Sequence, residues 1–141
     1  MTTSTPQRSY GFGTVVPVPY EDAVAQTRMA LKEQGFGVIT EIDVRKTMQE
    51  KLGTEFRPYI ILGACNPGLA HRALQADLGI GLLLPCNVTV YDNGDGTSTV
   101  EAMNPEAALG IAGDHPAVAN VAREATAGLK KALGALFESR G

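Results

Sequence analysis

Tryptophan is absent from this sequence, histidine occurs only at His71 and His115, and cysteine only at Cys65 and Cys86. So few imidazoles leave little acid–base chemistry near neutral pH. Two cysteines are too few for a disulfide-built scaffold, and the 20 residues between them match no compact zinc motif. Lys and Arg are scattered and the net charge is −3, so the basic stripe that a nucleic-acid partner requires is missing. No apolar run is long enough to span a membrane, and residues 1–9 lack the basic-then-apolar order of a signal peptide. A cytoplasmic protein with reduced thiols is expected, with neither nucleic acid nor membrane as partner. Charged residues make up only 19% of the chain, which predicts that part of its surface is covered by another subunit.

What is present fits one domain. The 141 residues can bury a core without disulfides or metal. Residues 1–8 read as a loose tail and residues 9–138 as a single α+β domain. Residues 9–18 carry Phe12, Val15, Val16 and Val18 as a first strand, closed by Pro17 and Pro19. A helix with Glu21 and Asp22 in its first turn and Val24, Thr27 and Leu31 on one face stops at Gly35. Residues 36–44 form a second strand, and residues 45–52 a short helix over a sheet edge or cavity mouth, ended by Gly53. A third strand starts at Tyr59, and a helix over residues 67–77 follows it. Residues 80–91 read as the longest strand, at an edge or bulged because Pro85 cannot donate to a ladder. Asp92-Asn93-Gly94-Asp95-Gly96 makes a hairpin turn into a fifth strand over residues 97–103. Residues 104–113 carry one helical turn at most. The last helix starts ahead of Pro116 with Val118, Val121, Ala125, Leu129, Leu133 and Phe137 as its sheet-facing stripe. Strand directions stay open, because a helix between strands also fits a parallel crossover.

The sharpest chemical feature is Cys65. It stands where a buried strand meets a helix that Asn66 caps and Pro67 starts, beside backbone N–H groups that stabilise negative charge. A small buried residue suits the same place. In a regular strand Cys86 shares register with Ile80, Leu82, Leu84, Val88 and Val90, which turns it to the core, whereas a bulge at Pro85 would change that face. If the two Cys-Asn segments are neighbours, Cys65, Asn66, Cys86 and Asn87 line one pocket. His71, one turn into the helix, is a candidate proton acceptor there, and Arg57 and Arg72 are candidate anion ligands. Paired thiols could form a disulfide, accept a persulfide or bind Cu(I) or Zn(II). For zinc, His71, His115 or Met103 would have to complete the set. The Asp92 turn lacks the spacing of a calcium loop. Gly11-Phe12-Gly13 and Gly79-Ile80-Gly81 are not phosphate loops, and no nucleophile elbow is visible.

The string from Ile60 through Gly63-Ala64-Cys65-Asn66-Pro67, then Leu69-Ala70-His71-Arg72-Ala73-Leu74 and Leu84-Pro85-Cys86-Asn87-Val88, resembles the bacterial and archaeal domain-of-unknown-function family numbered 302. Gly11-Phe12, Gly35-Phe36 and Asp43-Val44 are similar too, so the resemblance covers roughly residues 9–137. It implies a fold like that of the TATA-binding protein, in the order β-α-β(4)-α with added short helices, and commonly a homodimer. The sheet should be largely antiparallel with helices on one face. No activity is implied, and the fold likeness carries no DNA-binding role. The expected function is binding of a small molecule, anion or soft metal near the two Cys-Asn segments, with the balance leaning against catalysis without deciding it and the cofactor open. Two alternatives stand beside it: thiol redox or sulfur transfer through Cys65 and Cys86, and a dimeric partner-binding module.

Overall fold

A computed structural model of the chain describes residue 5 and residues 7–138, with the side chains of Phe137 and Glu138 left aside. Most of the expected loose tail, and the expected end of the last helix stripe at Phe137, thus lie outside the described residues.

Five strands form one sheet in the spatial order β1-β5-β4-β3-β2, and every neighbouring pair is antiparallel. They are β1 (Gly11–Val16), β2 (Gly37–Asp43), β3 (Tyr59–Cys65), β4 (Cys86–Asp92) and β5 (Ser98–Met103). The helices are α1 (Tyr20–Glu33), α2 (Val44–Leu52), α3 (Pro67–Ala76), α4 (Pro105–Leu109) and α5 (Pro116–Glu138). This is the expected β-α-β(4)-α order with α2, α3 and α4 as additions, and it settles the strand directions. The first and second strands lie at opposite edges, and α1 carries the chain across the sheet between them.

Local chemistry fixes the ends. Beyond α1, Gly35 has φ +83°, and the N–H groups of Gly35 and Phe36 donate to Lys32 and Leu31 carbonyls at 3.0 and 2.9 Å. Asp43 Oδ1 accepts from Lys46 N–H at 2.9 Å to start α2, which Gly53 ends at φ +63°. The helix rests on the β2–β3 edge with no fully buried residue. A register shift between Val38 and Thr40 bends β2, leaving Ile39 and Ile42 64% and 51% exposed.

One expected strand is corrected. Residues 80–91 do not run as a single strand: Leu78–Leu83 is a 3-10 turn, the Leu84–Pro85 peptide is cis, and β4 starts only at Cys86. Asp77 Oδ1 holds the turn by accepting from Gly79 N–H at 2.9 Å. Pro85 stands just outside the ladder, so β4 occupies an interior place in the sheet without losing a bond. The segment 104–113 is more ordered than expected, since Asn104 caps α4 and Leu109 is buried.

Helices α1 and α5 cover one sheet face. Strand alternation sends Leu62, Val88, Val90 and Val100 toward them, where they meet Leu31 and Leu129 in the main core. A second cluster joins Ala73 and Ile80 to Leu109, Val118 and Val121 under α3 and α4. The other sheet face carries Tyr59, Asn87, Thr89, Tyr91 and Glu101, each half-buried or exposed.

Candidate functional site

The two apolar clusters do not close completely. At their seam, between the end of the sheet, α3 and α5, lies a cavity of about 310 Å³ with almost wholly apolar walls. Its size follows from short side chains on facing elements: Ala64 on β3, Ala70 and Ala73 on α3, Gly81, and Ala125 on α5. Larger residues at any of these positions would fill it. Ile39, well exposed, stands at its rim, so the cavity reaches the surface beside β2.

Both cysteines line it. Cys65, the last residue of β3, is half-buried opposite Gly37, and Cys86, the first of β4, is 7% exposed opposite Ala64. Cys65 thus stands one residue beyond the Ala64–Cys86 pair on adjacent antiparallel strands, both cysteines border the same cavity, and both are free. Burial pushes the Cys86 thiol up to about 11, and the charge of the nearby Cys65 adds to the rise. Asn66 also borders the cavity, but its Oδ1 is spent in accepting from Leu69 N–H at 3.1 Å as the α3 cap.

The model of the family described as "Domain of unknown function DUF302" matches residues 12–136. The chain belongs to the DUF302 family. A crystal structure of an uncharacterized conserved DUF302 protein from Bacillus stearothermophilus is similar at 30% identity, with a TM-score of 0.81 over 90% of this chain and 98% of that one. No match is found among proteins of curated function.

This DUF302 domain gathers only part of the residue set expected from the sequence. Cys65, Asn66 and Cys86 meet at the cavity. His71 does not: it lies on the exposed side of α3 and lines no part of the cavity wall. Asn87 follows Cys86 in an extended strand and so points to the opposite sheet face. The candidate anion ligands are engaged elsewhere. Arg72 pairs with Glu124 of α5 at 2.7 Å, which raises the pKa of the guanidinium and lowers that of the carboxyl. Arg57 donates to the Asp92 carbonyl at 3.2 Å. His115 stands 3.8 Å from Asp77. Among the described residues no three His, Cys, Asp or Glu side chains are gathered as a metal site, so two thiols are the whole soft-donor set at the cavity. No described helix is long and apolar enough to cross a membrane.

Sequence reasoning missed the walls. Phe36, Leu69, Leu84 and Ala125 border the cavity without any polar signature to mark them. The usable signal was the run of small residues, Ala64, Ala70 and Ala73, on elements whose neighbours in the chain are large.

Proposed function

We propose that this domain binds a small, largely apolar molecule in the cavity beside Cys65 and Cys86. The observation that carries the reading is the void itself. Protein interiors are close-packed, and an apolar-walled space of this size, about 310 Å³, falls at the lower end of small-ligand sites. Its walls offer dispersion contacts to carbon, and two polarisable sulfurs are its distinguishing groups. A hydrated anion would lose its water there for few donors: no arginine lines the wall, Arg72 and Arg57 being engaged elsewhere, and the Asn66 amide nitrogen is the one side-chain N–H group on it.

Thiol redox chemistry has weaker support. Cys86 holds its proton up to about pH 11 and is nearly enclosed, which suits a wall better than an exchanging thiolate.

The test is a melting-temperature screen with alkylbenzenes and medium-chain alcohols, run beside Ala70→Leu, a substitution that fills the cavity from a half-buried position. A compound present at a hundred times its Kd stabilises by about 2.7 kcal/mol, which is readily seen as a rise in Tm. The expected result is a rise for the native chain, none for Ala70→Leu, and slower alkylation of Cys65 when the compound is bound. Absence of any rise, or an equal rise in the filled variant, removes the proposal.

A further inference from the structure

The sheet face turned away from the helices holds a second concavity, of about 430 Å³, that contains neither thiol. The Gly-Phe-Gly start of β1 builds its floor. Alternation turns Phe12 to the core and both glycines outward, and neither has space for a side chain. A Cβ on Gly13 would come within 2.7 Å of Glu101 Cγ and 2.8 Å of the Val100 carbonyl, and one on Gly11 within 2.9 Å of the Ala102 carbonyl. Glu101 of β5 therefore lies across bare backbone.

That carboxylate is already satisfied. Its side chain is only 11% exposed, the Arg8 guanidinium grips both its oxygens, and Tyr91 Oη donates to it at 2.9 Å. Charge inside the cleft is thus balanced before any ligand arrives. One wall is aromatic: Tyr59 and Tyr91 stack across β3 and β4 with centroids 5.2 Å apart and planes 8° from parallel. Tyr10 stands on the other side, its ring 5.9 Å from the Arg8 guanidinium carbon. Ala102 and Met103 add apolar surface, and Asn87 and Thr89 add polar side chains that have no hydrogen-bond partner among the described residues.

These features select a ligand by exclusion. A cation would have to displace Arg8 from Glu101, and an anion would have to draw Arg8 away from it; each exchanges one charged pair for another. A wholly apolar ligand would strand the Asn87 amide and the Thr89 hydroxyl. A free sugar presents hydroxyls all round, whereas among the described residues the open polar groups here are the Asn87 and Thr89 side chains and the Tyr59 hydroxyl, set beside a broad aromatic wall. We propose that the cleft binds a neutral planar heteroaromatic compound, of the purine nucleoside or isoalloxazine class, with its ring against the tyrosines and its polar edge on Asn87 and Thr89. Aromatic walls accept such rings through stacking, and an amide supplies a donor and an acceptor side by side for the edge. The site is independent of the cysteine cavity.

Calorimetric titration of the intact protein with riboflavin and with adenosine tests this. The expected result is one-site binding of at least one of them with a Kd below about 1 mM. Asn87→Ala, at an exposed position, and Tyr59→Ala should each weaken it by about tenfold. Ala70→Leu, which fills the other cavity, should leave it unchanged, so failure at one site is not mistaken for failure at the other. A single-stranded oligonucleotide should not compete, because a balanced Arg8–Glu101 pair gives phosphates nothing to hold. Absence of saturable binding by both compounds, unaltered affinity in both cleft variants, or binding of the oligonucleotide alone overturns the proposal.

Discussion

Cys86 is the residue where environment and chemistry are most tightly linked. Its folded-state pKa is raised from 9.0 to about 11, mainly by burial. As pH rises past 9, the unfolded chain releases this proton first, so the native state binds more protons and stability falls. The contribution is fully present below pH 9 and is lost as pH climbs through 11, roughly 2–3 kcal/mol in all. Tyr20 and Tyr91, also raised by burial, push in the same direction. Cys86→Ala leaves them in place, so denaturant unfolding across this range should show the variant losing about 2 kcal/mol less than the native chain. A second residue-scale prediction concerns Asn66: Asn66→Ala removes the acceptor for Leu69 N–H and should cost about 1 kcal/mol by the same measurement. These two roles were legible in the sequence because they rest on local rules, strand alternation for Cys86 and the Asn-Pro helix start for Asn66. Their companions were not. Asn87 shares a dipeptide with Cys86 yet alternation places it on the far side of the sheet, and Glu101 drew no attention because its partner Arg8 is 93 residues away in the chain.

At the scale of elements, the docking of α5 on the sheet has an unusual requirement at Gly128. Alanine inside a helix is normally favoured over glycine by roughly 1 kcal/mol. Here a Cβ would sit 2.7 Å from Cε2 of Phe36, whose ring is 2% exposed and held in the main core. Overpacking of this kind costs about 1–3 kcal/mol, so Gly128→Ala should lower stability instead of raising it. Phe36→Leu combined with Gly128→Ala should recover part of the loss, a non-additivity that a double-mutant cycle measures. Equal stability of Gly128→Ala and the native chain would mean that Phe36 turns aside freely. Element type was readable wherever period and punctuation agreed, as in α1 with Gly35 or the Asn93–Gly96 hairpin. It failed at residues 80–85, where apolar residues beside glycines read as the start of a strand, yet the Asp77 side chain and two glycines favour a tight turn. A local hydrogen bond there outcompeted the apolar pattern.

For the whole molecule, covering the sheet on one face only makes its stability uneven. Strands β4 and β5 lie inside the sheet and send Val88, Val90, Val100 and Ala102 into the core. The β2 edge has only the half-buried Val38 as an anchor: it is bulged, its isoleucines are exposed, and α2 beyond it buries no residue fully. Its tie to α1 is the Arg28–Glu41 pair, both side chains more than a third exposed, and exposed pairs of this kind contribute at most about 1 kcal/mol. Opening of residues 37–52 should therefore expose little apolar surface and cost far less than global unfolding. Native-state hydrogen exchange should find the amides of β2 and α2 exchanging at least about tenfold faster than those of β4 and the inner half of β5. The reverse result is informative in structural terms. Slow exchange along β2, matched to β4, requires that the free edge be paired, and the partner of suitable chemistry is the same edge of a second copy continuing the sheet. Exchange measured at two protein concentrations separates these cases, because protection that comes from a second copy fades on dilution while protection built into one chain does not.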